Sequence, residues 1–328
     1  MPVCEDCHLP SRSPESVRAA PFWHFVVLIP PLAAVALSGC TRDSRSTGTL
    51  EKTWGRLGIG EGRLQKPRAM AIDAQDRLYI VDMTARIQVF SADGEYVRGW
   101  RTPTRRNGRP SGLTIDCDGL VLVADTHYFR VLCFTPEGRL LPDRTIGGTN
   151  GSEPGQFGFV TDAVRDSRKN MYIAEYGEFD RVQKFSPAGR FLLQWGSHGR
   201  QPGQFIRPQN LAVDRHDRIW VADACNHRIQ VFDGDGTLVR LWGSQGRAPG
   251  ALYYPYDLAL DGHGHLYVCE FGNHRVQKFT LDGRSLGCWG VNGRREGQLN
   301  NPWALVCDSR GRVHVLDTNN HRVHRIRL

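Results

Sequence analysis

The chain has 328 residues, 40% hydrophobic and 23% charged, a balance that excludes a disordered or wholly membrane-embedded protein. Its 36 glycines recur at regular intervals rather than in one linker, which implies many tight turns and therefore many short strands. A net charge of +8 arises from 42 basic and 34 acidic residues. The arginines are spread over the whole length, so they read as solvated surface charge rather than as a nucleic-acid patch.

At the front, Cys4-Glu5-Asp6-Cys7-His8 has the spacing of a c-type haem attachment site. It precedes an apolar run at residues 22–39 that contains His24, Pro30 and Pro31 and ends in small residues. That run reads as a cleavable export signal rather than a spanning helix, so Cys4, Cys7 and His8 are expected to be lost with it and no haem is expected. Leu37-Ser38-Gly39-Cys40 resembles the lipobox of bacterial lipoproteins. The resemblance implies cleavage before Cys40, acylation of its sulfur and new amino terminus, and anchoring in a lipid bilayer. Thr41, where an aspartate would retain a lipoprotein in the inner membrane, implies the outer membrane. The leader is long, and a start at Val17 is the alternative. The expected division is leader and signal at 1–39, lipidated cysteine and linker at 40–47, and a repeat domain at 48–328.

The repeat domain declares itself by self-similarity. An acidic residue recurs at Asp82, Asp125, Glu175, Asp223, Glu270 and Asp317, with an arginine following at Arg86, Arg130, Arg181, Arg228, Arg275 and Arg322. Each of the six units holds four short apolar, β-branched stretches separated by Gly, Asp or Asn, the size of one propeller blade. The last unit ends after its third stretch, at Leu328, while residues 48–55 match the missing fourth. These observations predict an all-β, six-bladed β-propeller whose last blade is closed by the N-terminal strand, which hides its free edges. The pattern resembles the NHL repeat over about residues 48–328.

A residue needed six times is expected to hold blades together, so the acid–arginine pairs, the Asn-His-Arg turns and Trp54, Trp195, Trp242 and Trp289 are assigned to structure. Cys117, Cys133, Cys225, Cys269, Cys288 and Cys307 show no disulfide spacing and are expected to be mostly unpaired. Ligand contacts are expected where units differ, just after the residue that opens each innermost strand: Arg68, Ser111, Thr161, Gln209, Tyr256 and Trp303. Side-chain alternation predicts that only one of each adjacent pair points inward.

NHL-like amidating lyases carry zinc-binding histidines at this position, and none of the six residues is His. Gluconolactonase-like propellers hold calcium with inner-strand Glu, Asn and Asp; Asp162, Asn210 and Asp257 are the corresponding weak candidates here, one residue further on. Phosphate loops and nucleophile elbows are missing from the sequence. Animal NHL domains that bind RNA do so on a basic face, a reading that export disfavours. The sequence therefore points to an exported, lipid-anchored, non-catalytic module binding a protein, peptide or glycan in the cell envelope. A metal-dependent hydrolase or lyase using the central channel is the alternative.

Overall fold

A computed structural model describes residues 47–328. Cys4, Cys7, His8, the apolar run and Cys40 lie outside the described residues. Six four-stranded antiparallel sheets stand around a central channel. Their innermost strands are Pro67–Ile72, Gly112–Ile115, Phe159–Arg165, Pro208–Val213, Pro255–Leu260 and Ala304–Cys307. We number the blades 1 to 6 in that order. Each innermost strand contacts the next, and the last contacts the first, so the ring is closed.

Thr49–Trp54 supplies the outer strand of blade 6, pairing with Arg322–Arg327 in a register from Thr49 opposite Arg327 to Trp54 opposite Val323. The expected closure is what the chain forms. Second strands such as Leu78–Asp82, Val121–Asp125 and Ile219–Asp223 are buried at every position. Both faces of a blade are covered by its neighbours, so these strands read as continuous apolar runs. The outer strand Tyr96–Arg101, by contrast, alternates between half-buried and exposed residues.

Tryptophans on the outer strands seal the seams. Trp54 packs on Phe90 of blade 1 with ring centroids 4.9 Å apart, and Trp195 on Phe232 at 5.7 Å. The turn facing Trp54 carries Gly94 at φ +83°, and a Cβ there would stand 2.4 Å from the indole. Only glycine permits both that conformation and that approach.

The recurrent acid and arginine form a buried clasp. Arg228 Nε donates to Asp223 Oδ2 at 2.7 Å, its other nitrogens donate to the carbonyls of Arg200, Gln201 and Gln204, and Asp223 Oδ1 accepts the Ile206 N–H. Arg86, Arg181, Arg275 and Arg322 repeat this arrangement with their own acids and loops. The clasp thus fixes the entering loop of these five blades, while in blade 2 Arg130 bonds Asp125 and the Thr104 hydroxyl instead. Among the described residues all six cysteines are free thiols, and Cys133, Cys225, Cys269 and Cys288 are buried.

Candidate binding site at the channel mouth

All six innermost strands start on the same face, here called the mouth. Arg68, Ser111, Thr161, Gln209, Tyr256 and Trp303 come together there around one narrow void of about 20 Å³. The expected alternation fails. In blades 1, 3, 4 and 5 a β-bulge lies at Arg68, Thr161, Gln209 and Tyr256. A bulge sets two residues against one on the partner strand. Asp162, Asn210 and Asp257 therefore line the same channel as the residues that precede them.

Several of the six are engaged internally. The Thr161 hydroxyl lies 2.6 Å from the Pro208 carbonyl of the next blade and donates to it, while Ser111 Oγ and Thr126 Oγ1 are bonded at 2.7 Å. Gln209 Oε1 accepts from Arg207 Nε at 2.9 Å. Thr161, Gln209, Tyr256 and Arg68 are buried; Ser111 and Trp303 are half-buried.

Rings and guanidinium groups form a continuous arc around the mouth. Phe129 of blade 2 meets Phe159 of blade 3 at 6.0 Å, and Phe159 meets Tyr176 at 5.4 Å. The Arg207 guanidinium lies 4.8 Å from the Tyr176 ring and 5.4 Å from the Tyr256 ring. Tyr256 stacks on Phe271 at 4.5 Å and meets Trp303 edge-on at 5.0 Å. Arg68 of blade 1 lies 5.5 Å from Trp303. Every blade contributes. Burial, reinforced by the like charges of Arg207 and Arg109, lowers the pKa of Arg68 to about 10, so it remains a cation at neutral pH.

Arg207, Phe159, Phe271 and Tyr176 were not among the residues expected from sequence. Arg207 stands immediately before the opening proline, and its counterparts Lys66, Tyr254 and Asn301 differ from it, which is the signal that could have found it. These four residues have φ between 44° and 59°, and each backbone N–H is held by the preceding blade. His321 Nδ1 accepts from Lys66, Asp180 from Arg207, His227 Nδ1 from Tyr254 and His274 Nδ1 from Asn301. The turn histidines are hydrogen-bond acceptors between blades.

Deeper in the channel, Asp162 Oδ2 accepts from Asn210 Nδ2 at 2.8 Å and from the Leu211 N–H at 3.0 Å. Asn210 Oδ1 accepts the Leu258 N–H and Asp257 Oδ2 the Leu305 N–H. Each thus binds the backbone of the next blade. Burial raises the Asp162 pKa to about 7 and that of Asp257 well above the carboxylate range. Both carboxylates are thus engaged by backbone N–H groups, and among the described residues no three His, Cys, Asp or Glu converge on one position. The channel widens at its far end into a cavity of about 280 Å³, walled by Ile72, Val213 and Leu260 and bordered by the Arg165–Asp116 ion pair.

The NHL repeat profile matches residues 107–134, 205–232 and 252–279. Rat peptidylglycine alpha-amidating monooxygenase is 35% identical over 127 residues, which are 36% of this chain and 13% of that protein. Mouse NHL repeat-containing protein 3 is 27% identical over 184 residues, covering 48% of this chain and 49% of the relative. The chain thus spans 13% of the length of the amidating enzyme it matches. Among solved structures, a streptogramin B lyase superposes with a TM-score of 0.60 at 12% identity, covering 86% of this chain and 98% of the lyase. A Bacteroides thetaiotaomicron protein of unknown function gives 0.61 at 15% identity, over 83% and 71% of the two chains. At such identities the superpositions speak to fold alone. The chain is an all-β, six-bladed propeller that carries NHL repeats.

Proposed function

We propose that the protein is a binding module that takes an anionic group of a peptide, protein or glycan at the channel mouth. One observation carries this reading: the arc around the mouth places the guanidinium groups of Arg68 and Arg207 against Trp303, Tyr256 and Tyr176. Cations held against aromatic rings, with a third arginine nearby, form a positive and rigid surface. A carboxylate or phosphate there relieves the repulsion among these cations and accepts charge-assisted hydrogen bonds. Galacturonate trisaccharide and an acidic hexapeptide serve as probes in calorimetry. Arg207→Gln is expected to weaken binding at least about tenfold. Unchanged binding in that variant and in a Tyr256→Ala/Trp303→Ala variant overturns the reading.

The proposal keeps the module exported and anchored through Cys40, supported by the lipobox sequence alone; palmitate labelling that persists in Cys40→Ser overturns that part. A metal-dependent lyase is the second reading, favoured by the local similarity to an amidating monooxygenase. Stoichiometric zinc or calcium in purified protein, lost on Asp162→Asn, would support it over simple binding.

A further inference from the structure

We infer that the entire mouth face, and not only the mouth, is a docking surface for a long acidic polysaccharide. This deepens the binding reading above and rests on it for orientation. The observation behind it is a segregation of charge. Residues 47–328 hold 38 Lys and Arg against 30 Asp and Glu, which is the whole net charge of the chain. The six loops that lead into the blades, at 55–66, 102–110, 148–158, 196–207, 243–254 and 290–303, hold 11 basic residues and 3 acidic ones. The turns between second and third strands, which reach the same face, add Glu178 and Asp180 and no Lys or Arg, so the face keeps 11 basic residues against 5 acidic ones, and the remainder carries 27 basic and 25 acidic.

The arginines are scattered in sequence, which suggested plain surface charge. The fold groups them in space, because a propeller brings the same loop of every blade to the same face. Arg56, Arg105, Arg106, Arg247, Arg294 and Arg295 are exposed on it. Most of the loops are also firmly built. Leu64, Phe157, Phe205, Leu252 and Leu299 are each wholly buried as a plug within their loop, and the clasp arginines bond the same loops' carbonyls. The charges are therefore presented from rigid supports around a ring, where their fields add.

Single-stranded nucleic acids and proteins fit this surface less well. Single-stranded nucleic acids need open aromatic faces on which bases stack. Here Tyr256 is covered by Phe271, Trp303 and Arg207, and Trp303 is approached by Arg68. Proteins bind through side chains anchored in pockets, whereas the void under the mouth holds only about 20 Å³. What remains is charge without pockets, and that suits an unbranched chain with an acid on every sugar.

The test uses the full chain with polygalacturonate, galacturonate trisaccharide, neutral dextran, poly-dT, polyglutamate and phosphatidylglycerol vesicles. The polymer is expected to bind far more tightly than the trisaccharide, with affinity falling steeply as salt rises. Reversing four exposed mouth-face charges (Arg105→Glu, Arg106→Glu, Arg294→Glu, Arg295→Glu) is expected to weaken it at least about tenfold at low salt. Reversing four exposed charges on turns of the opposite face (Arg139→Glu, Arg190→Glu, Arg284→Glu, Arg310→Glu) is expected to leave it within about twofold. Circular dichroism establishes that both variants fold; if the mouth-face set does not, the Arg105→Glu/Arg106→Glu pair replaces it. Equal affinity for trisaccharide and polymer, or equal losses in the two sets, overturns the inference. Preference for poly-dT, polyglutamate or vesicles overturns the polysaccharide. The mouth reading is judged separately: it fails if Arg207→Gln leaves trisaccharide binding unchanged, whatever the polymer does.

Discussion

Nδ1 of His321 accepts the backbone N–H of Lys66 at 2.9 Å, joining the last blade to the first across the point where the ring closes. His227 and His274 make the same bond to Tyr254 and Asn301. An acceptor nitrogen must be unprotonated, and burial lowers the pKa of all three, to about 4 for His227. An unfolded histidine titrates near 6.5. Between those values the unfolded chain binds more protons, so this contribution is complete above about pH 6.5 and is lost as pH falls toward 4. His227→Asn retains an acceptor that does not titrate. The melting temperature of the variant relative to the parent is expected to rise as pH drops from 7 to 4.5, and a constant difference rejects the assignment.

Asp162 carries the opposite sign. Its folded pKa of about 7 exceeds the ordinary value of 3.8, so the folded chain holds the proton longer. The contribution is fully present below about pH 4 and is lost as pH rises through 7. In Asp162→Asn the amide oxygen can still accept from Leu211 and Asn210, and the amide nitrogen can donate to Thr114 Oγ1, the neighbour of Asp162 Oδ1. The variant is expected to gain melting temperature relative to the parent between pH 4 and 7. A gain that does not grow with pH across that range counts against the buried proton.

The clasp predicts a large and local loss. Arg228 and Asp223 are bonded at 2.7 Å with side chains 9% and 0% exposed. Arg228→Met leaves a buried carboxylate without its cation, which costs about 3–5 kcal/mol. Urea denaturation measures it. A double variant, Asp223→Asn/Arg228→Met, removes the charge as well and is expected to recover part of the loss; no recovery would mean that loop bonds, not charge, dominate.

What could be read in the sequence is what repeats. Six acid–arginine pairs and a displaced Gly-Thr-Leu segment at 48–50 were enough for blade number and closure, because repeat identity encodes blade identity. The site was only partly legible. Tyr256 and Trp303 emerged as positions where the units differ, but Arg207 and Phe271 belong to turns whose approach to the mouth is decided by left-handed backbone and by the neighbouring blade. The bulges at Gln209 and Tyr256 break the alternation by which only one of each adjacent pair was expected to point inward. Charge has the same limit: a linear count cannot show that separate loops share a face.

The seam between blade 6 and blade 1 carries the last prediction. Trp54 is 9% exposed, lies against Phe90, Val323 and Leu316, and faces Gly94 across the gap. Trp54→Ala removes a large buried side chain and is expected to cost about 3–5 kcal/mol. Gly94→Ala adds a Cβ that collides with the indole in a backbone conformation that disfavours alanine, so it also destabilises. The two changes relieve one another, because the cavity left by the indole is where the new methyl group points. Their combined effect in urea denaturation is expected to be smaller than the sum of the single ones, as for residues in contact. Hydrogen exchange would locate the loss in Arg322–Arg327, which pairs with the Trp54 strand. Strict additivity, or exchange that accelerates equally in every blade, would mean that the N-terminal strand is not the ring's weak joint.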